Sequence, residues 1–339
     1  MSASPALVSL SSDDLFCVSV VVAAYNAEDT IGECLASLDL QTLESLEVVI
    51  VDDGSTDGTL REIGEFAAKS AKSITILSQP NGGQGNARNL ALAHCQGEYI
   101  GFLDADDFVL PEMFEMMYRA AVAENADLVR CGMRCFTGNG SSRIYSKIYL
   151  HPQKGDLFKR MQVQPYLHLV KSTLVSTHQI TFAETRGSED IAFFLKLFPH
   201  VNQIACIDKP YVCRRVLSGS TSSTATVEKC SQIFPVIDEV LAYYKNHRLL
   251  KRYGKLLEYS CVRLLMCSRV GWCSLIEDGR SKREMIRLIS SFITKRFPGR
   301  SKNGEMHGMM GLYLRYGGKI SMLVALPLLS RRYKSLLGV

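Results

Sequence analysis

The sequence predicts an α/β fold: a mostly parallel sheet flanked by helices, followed by a mainly α-helical C-terminal region. Three observations predict it. Short apolar runs (Cys17–Ala24, Leu46–Val51, Ile74–Leu77 and Tyr99–Leu103) alternate with segments whose apolar residues recur at helical intervals. Each run is followed by polar residues rich in Asp, Asn, Gly or Ser, the composition of a loop at a strand end. From Val227 onward helical spacing dominates, as in Ile233, Val236, Ile237, Val240, Leu241 and Tyr244.

The elements follow in order. Cys17–Ala24 is almost continuously apolar, as a strand buried on both faces must be. The loop Tyr25-Asn-Ala-Glu-Asp29 comes next, and Thr30-Ile-Gly-Glu33 has the spacing of a capping box ahead of Ile31, Leu35 and Leu38. Leu46–Val51 predicts a second strand that runs into Asp52-Asp-Gly-Ser-Thr-Asp-Gly58 and then a helix over 59–69. Ile74–Leu77 predicts a third strand, after which Gln79-Pro-Asn-Gly-Gly-Gln-Gly85 leads into a helix carrying Arg88. Tyr99–Leu103 predicts a fourth strand with Asp104, Asp106 and Asp107 just past its carboxyl end. A helix then starts near Pro111 and runs to Glu124, and Leu128–Cys131 predicts a fifth strand. Such alternation implies right-handed crossovers, and ligands of such sheets bind beyond the carboxyl ends of the strands. The clusters Tyr25–Asp29, Asp52–Asp57, Asn81–Arg88 and Asp104–Asp107 all fall at that edge.

Three carboxylates packed at one strand tip repel one another. A hard divalent cation, which takes oxygen ligands, fits them best, whereas a solvated acidic turn capping the next helix is the plainer reading. Asp53-x-Ser55-x-Asp57-Gly58 imitates a calcium loop, but its twelfth position is Gly64 rather than Glu. Gly83-x-Gly85 is half of a dinucleotide fingerprint and follows the wrong strand.

A chain of 339 residues accommodates two domains, placed here at 1–225 and 226–339. Charge separates them. Residues 226–339 hold 21 Lys+Arg against 8 Asp+Glu, whereas residues 1–225 hold 18 against 26. The basic part suits the solvated face of a helical cap or, with aromatic and apolar residues between its charges, an anionic membrane surface or a lipid diphosphate, for which Arg331-Arg-Tyr-Lys334 is the expected contact. No basic residue precedes Arg61, and the apolar run Met322–Leu329 is short and contains Pro327. Neither a secretory signal nor a membrane span is therefore expected, and the expected location is cytoplasmic, peripheral at the inner face of the membrane. Eleven scattered cysteines without CxxC pairs are expected to be free thiols, and the seven histidines show no metal-ligand spacing.

Four ordered motifs carry a resemblance: Val-Ser-Val-Val-Val-Ala-Ala-Tyr-Asn26, Val-Asp-Asp-Gly-Ser-Thr-Asp-Gly-Thr59, Asn-Gly-Gly-Gln-Gly-Asn-Ala-Arg-Asn89 and Gly-Glu-Tyr-Ile-Gly-Phe-Leu-Asp-Ala-Asp-Asp107. Together they resemble the family 2 glycosyltransferases of bacterial surface-polysaccharide synthesis, which share the GT-A, Rossmann-like fold. The likeness continues through Gly187-Ser-Glu-Asp190 and Tyr211-Val-Cys-Arg214. It implies an inverting enzyme that moves a sugar from a nucleotide-sugar, UDP-linked, to a lipid-linked or growing glycan with Mn²⁺ or Mg²⁺. In that reading Ala24, Tyr25 and Glu28 line the base and ribose, and Asp53 hydrogen-bonds the uracil. Gly82 and Arg88 lie along the nucleotide, Arg88 near Asp53 or the phosphates. Asp104 and Ala105 sit by ribose or metal, and Asp106 binds the metal. Asp190 is the base, and Arg214 approaches the diphosphate from a segment ending near Ser218-Gly-Ser-Thr221. The family's proline before Tyr-Asn is Ala24 here. Its Trp/Asn-Lys-Leu pattern is replaced by Tyr166-Leu-His-Leu-Val-Lys171, which faces the acceptor. Each residue also has a plain structural role to weigh: Glu189-Asp190 suits any helix N-terminus, and Arg214 or Arg215 any surface. The alternatives are a nucleotidyltransferase of similar fold and a nucleotide-sugar-binding module without activity. Nothing in the motifs asks for nucleic acid.

Overall fold

The computed structural model describes residues 16–137, 142–145, 153–160, 163–216 and 225–337. Its first half follows the predicted alternation. Strands β1 (Val18–Ala24), β2 (Leu46–Asp52), β3 (Ser73–Ser78) and β4 (Tyr99–Asp104) pair in parallel in the order β3-β2-β1-β4. Helices α1 (Glu28–Asp39), α2 (Thr59–Ala67) and α3 (Gln84–Leu92) make the crossovers. Along β1 the residues alternate between two cores: Val20 and Val22 face one and Val21 the other, which is why the strand has no polar face.

Beyond β4 the sheet becomes mixed. After β5 (Phe108–Val109) and α4 (Met113–Glu124), the chain forms β6 (Leu128–Thr137), β7 (Ser142–Tyr145) and α5 (Lys154–Arg160). It continues with β8 (His168–Lys171), α6 (Ser172–Thr177), α7 (Glu189–Leu197) and β9 (Ile204–Val216). Strand β8 lies between β4 and β6 and is antiparallel to both, so β6 does not join β4 directly. Four residues, His-Leu-Val-Lys, are too short to announce a strand, and this one depends on pairing Tyr99 with Lys171. Strand β9 runs parallel to β6 with a register shift around Gly132 and pairs antiparallel with β5, which carries it to the tip of β4.

Thr30 does not cap α1. The helix starts at Glu28, and the Glu28 N–H donates to Asp57 Oδ2 at 3.2 Å, while Ala27 N–H donates to Thr59 Oγ1 at 2.7 Å. The caps thus come from the loop after β2, a tertiary solution that local spacing does not reveal.

The C-terminal region is helical, as predicted: α8 (Val227–Ser231), α9 (Ile233–Asn246), α10 (Leu250–Arg263), α11 (Val270–Cys273), α12 (Gly279–Arg296), α13 (Gly308–Tyr316) and α14 (Lys319–Leu337). A π-helical turn, Leu264–Arg269, joins α10 to α11. One face of the sheet packs on α1 and α4 through Ile31, Leu35, Phe114 and Met117. The other packs on α3 and α7, and the same apolar core continues through Val236, Leu265 and Ile289 of the C-terminal helices. None of the eleven cysteines, all among the described residues, is in a disulfide, and among the described residues no helix is long and apolar enough to cross a membrane.

Candidate active site

The loops after β1 and β2 are tied together first. Asn26 sits in the left-handed region at φ 46°, where its side-chain oxygen accepts from Thr56 N–H at 2.8 Å. Glu28 accepts from Gly58 N–H at 2.9 Å and pairs with Arg61 at 3.2 Å. A Cβ at Gly58 would stand 2.2 Å from Glu28 Oε1, so any larger residue there would push the Glu28 carboxylate aside. The Glu28 carboxylate therefore braces this loop. Ala24 is buried, and Tyr25 beside it is half exposed at the strand tip.

Asp53 lies at the centre of the next group. Its N–H donates to Ala24 O at 2.8 Å, and its carboxylate accepts from Gln79 Nε2 at 2.7 Å, Gly82 N at 2.9 Å and Gly83 N at 2.8 Å. Three donors satisfy a carboxylate whose residue is only 3% exposed, so Asp53 and Gly82 form one rigid corner across β1, β2 and the start of α3. Gly83, at φ 92°, makes the turn into α3.

The acidic cluster follows β4. One carboxylate oxygen from each of Asp104, Asp106 and Asp107 lies within 4.8 Å of the others. Asp107 N–H donates to Asp104 O at 3.0 Å, closing the turn around the buried Ala105, and Asp107 Oδ1 accepts from Arg215 N–H at 2.8 Å. Burial and Asp104 raise the Asp106 carboxyl above its ordinary range, against the pull of Arg214 and Arg215. Burial, with Asp104 and Asp106, raises Asp107 further. Three convergent carboxylate oxygens in a partly dry strand tip are a donor set for a hard divalent cation, and the residues fit one.

The remaining carboxylates come from α7. Gly187 and Ser188 enter it through positive φ, at 137° and 68°, and turn Glu189 and Asp190 into the first helical turn. Burial and the neighbouring Glu189 push the Asp190 carboxyl up to about 7, although Arg88 and Arg269 pull it down, and Asp190 Oδ1 accepts from Ile191 N–H at 2.9 Å. Arg88, expected along the nucleotide near Asp53 or the phosphates, is buried between carboxylates. Its guanidinium meets Asp104 at 2.7 Å and Glu189 at 3.0 Å and lies over the Phe182 ring. Helix α3 leaves β3 and crosses the sheet to β4, so Gly82 and Gly83 ahead of it donate to Asp53 after β2, while Gln84 and Arg88 reach Asp104 at the β4 tip. At Gly85 a Cβ would stand 2.4 Å from Ala183 O and 3.1 Å from Glu189 Cβ, so glycine lets α3 approach the segment that carries the acidic pair.

Arg214 approaches the same cluster from β9. Burial works against its charge, but Tyr166, Asp107, Cys135 and Asp104 hold the guanidinium above its ordinary range. Tyr166 belongs to the buried turn Pro165–Leu167 ahead of β8. Ser218-Gly-Ser-Thr221 lies outside the described residues. Two partners carried no signal in the sequence. Arg269, in the π-helical turn of the C-terminal region, donates to Ser188 Oγ beside Asp190 and stacks on Trp272. Arg215 pairs with Glu33 of α1.

A sheet with the order β3-β2-β1-β4, an acidic cluster at the β4 tip and a carboxylate-bearing helix beside it make up a GT-A fold. Residues 19–174 match the family described as glycosyl transferase family 2. The chain is 39% identical over 254 residues to the cholesterol galactosyltransferase of Borreliella burgdorferi, covering 70% of this chain and 68% of that protein. It is 27% identical over 290 residues to the uncharacterized glycosyltransferase EpsJ of Bacillus subtilis, covering 81% and 83%. The fold matches the crystal structure of residues 1–349 of TarS from S. aureus in complex with UDP-GlcNAc, with a TM-score of 0.69 and 23% identity over 94% of this chain and 91% of that one. The chain belongs to glycosyltransferase family 2.

Proposed function

We propose that this glycosyltransferase moves a hexosyl or N-acetylhexosaminyl group from a UDP-sugar to a hydroxyl of a lipid-linked or growing surface glycan, with inversion at the anomeric carbon. The observation that carries the reading is the bridge Glu189–Arg88–Asp104, which fixes the helix bearing Asp190 against the acidic cluster. Asp190 is the base. It takes the acceptor proton as the new C–O bond forms, and the bond to the leaving diphosphate breaks on the opposite face. A carboxylate held near pH 7 accepts that proton far better than one of ordinary acidity, with a pKa of about 3.9.

Donor binding falls to the other corner. Ala24 and Tyr25 flank the base and ribose, with the loop braced by Glu28, and Asp53 with Gly82 reads the uracil edge. Asp104, Ala105 and Asp106 face ribose and diphosphate, and Asp106 is the principal ligand of Mn²⁺ or Mg²⁺. When bound, the cation neutralises charge building on the leaving diphosphate. Arg214 adds a second positive charge from β9. The reading places the enzyme at the cytoplasmic face of a membrane. The relative named for cholesterol galactosylation supports a hydroxyl acceptor on a lipid, and the TarS complex supports UDP as the carrier.

Calorimetric titration with UDP, first with Mn²⁺ and then with EDTA, tests the donor half. Metal-dependent binding is expected, and absence of UDP binding in both conditions overturns it. Product analysis with UDP-sugars tests the rest: UDP must be released, and pyrophosphate release would identify nucleotidyl transfer instead.

A further inference from the structure

Helices α13 and α14 each leave large apolar side chains without a partner. Met309, Leu312 and Tyr316 share one face of α13, and Ile320, Val324 and Leu328 share one face of α14. All six are between 58 and 89% exposed. The other side of α14 is anchored: Met322 is fully buried, and Leu323, Leu326 and Leu329 pack against the core. A helix apolar on both sides, held to the protein on one and open on the other, has a surface still to be covered.

Charge adjoins that surface. A cleft of about 420 Å³ lies between α12 and the start of α14, lined by Arg287, Ser290, Ser291, Thr294, Lys295 and Lys319. Lys319 lines the cleft, and Ile320, the next residue, opens the apolar row. Arg331, exposed, continues that face of α14. Residues 279–339 contain 13 Lys+Arg against 2 Asp+Glu, and of the basic residues Arg296 pairs with Asp238 of α9.

We infer that α12, α13 and α14 form a docking surface for an anionic phospholipid bilayer. The apolar row enters the acyl boundary, and the cleft takes lipid phosphates, with cations from Arg287, Lys295 and Lys319 and hydroxyls from Ser290, Ser291 and Thr294. None of the described helices spans a bilayer, so the protein lies on the membrane rather than in it. The surface does not depend on the catalytic roles of Asp106 or Asp190.

The experiment is co-sedimentation of the full chain with vesicles of phosphatidylglycerol and phosphatidylethanolamine, beside vesicles of phosphatidylcholine alone. Binding to the anionic vesicles that weakens with salt is expected. Arg287→Gln combined with Lys295→Gln should lower partitioning about 25-fold, from roughly fivefold per basic charge near an anionic surface. Ile320→Glu with Val324→Glu should abolish sedimentation, and both pairs should retain the parent's circular dichroism and UDP affinity. Equal binding to both vesicle types, or unchanged binding of both variants, overturns the inference. So does analytical ultracentrifugation showing a dimer that Ile320→Glu with Val324→Glu converts to monomer, which would assign the row to a second copy.

Discussion

Arg88 and Glu189 stand 101 positions apart in the chain and form a buried ion pair of 3.0 Å, while the same guanidinium holds Asp104 at 2.7 Å. One side chain thereby joins the helix of the proposed base to the acidic cluster. Arg88→Met leaves Glu189 buried and unpaired, a change that costs about 3 to 5 kcal/mol in comparable buried pairs. Urea unfolding should show a loss of that size, and the double variant Arg88→Met with Glu189→Met should recover part of it. A single variant as stable as the parent would show that the pair does not secure α7.

Asp190→Asn should lower the transfer rate by about 10²- to 10⁴-fold while UDP affinity stays near the parent value. The parent's kcat/KM should rise with pH through an apparent pKa near 7, because the base must be deprotonated to act. Stability moves the other way. Asp190 binds its proton more tightly in the folded state, so its contribution is present below its unfolded pKa and is lost as pH rises toward 7. Unfolding at pH 5 and pH 8 should therefore show a smaller decline for Asp190→Asn than for the parent.

Arg269 acts on Asp190 from the C-terminal region. Its positive charge pulls the Asp190 carboxyl down, and its guanidinium donates to Ser188 Oγ. Arg269→Met should move the rising limb of the pH–rate profile to higher pH, and Arg269→Lys should restore part of the shift. A purely structural role would lower stability and leave the limb in place.

Gly85→Ala should destabilise the protein although the residue is helical. In an open helix the change gains about 1 kcal/mol. Here the added carbon meets Ala183 O at 2.4 Å, and forcing atoms into such a contact costs about 1 to 3 kcal/mol. Because Glu189 Cβ is also close, the melting temperature and the transfer rate should fall together.

Asp106→Ala removes one of three mutually repelling carboxylates. Metal-dependent UDP binding should weaken at least tenfold, whereas the melting temperature without metal should hold or rise. Loss of stability with unchanged UDP binding would place Asp106 outside the donor site.

The parallel half of the sheet and the four clusters at its edge are legible in the order of residues. Those signals are local: β1 shows its two-sided burial as an unbroken apolar run, and Asp53, Gly82 and Asp104 stand at strand ends that turn residues mark. The same locality made the family legible from Val18 to Asp107 and the C-terminal helices legible from their spacing. The rest comes from pairing between distant segments in the folded chain. That pairing inserted β8 between β4 and β6, capped α1 with Asp57, bridged Asp104 and Glu189 through Arg88, and brought the charge of Arg269 to bear on Asp190. Each of these joins segments far apart in the chain. No periodicity within one segment encodes a partner that another segment supplies.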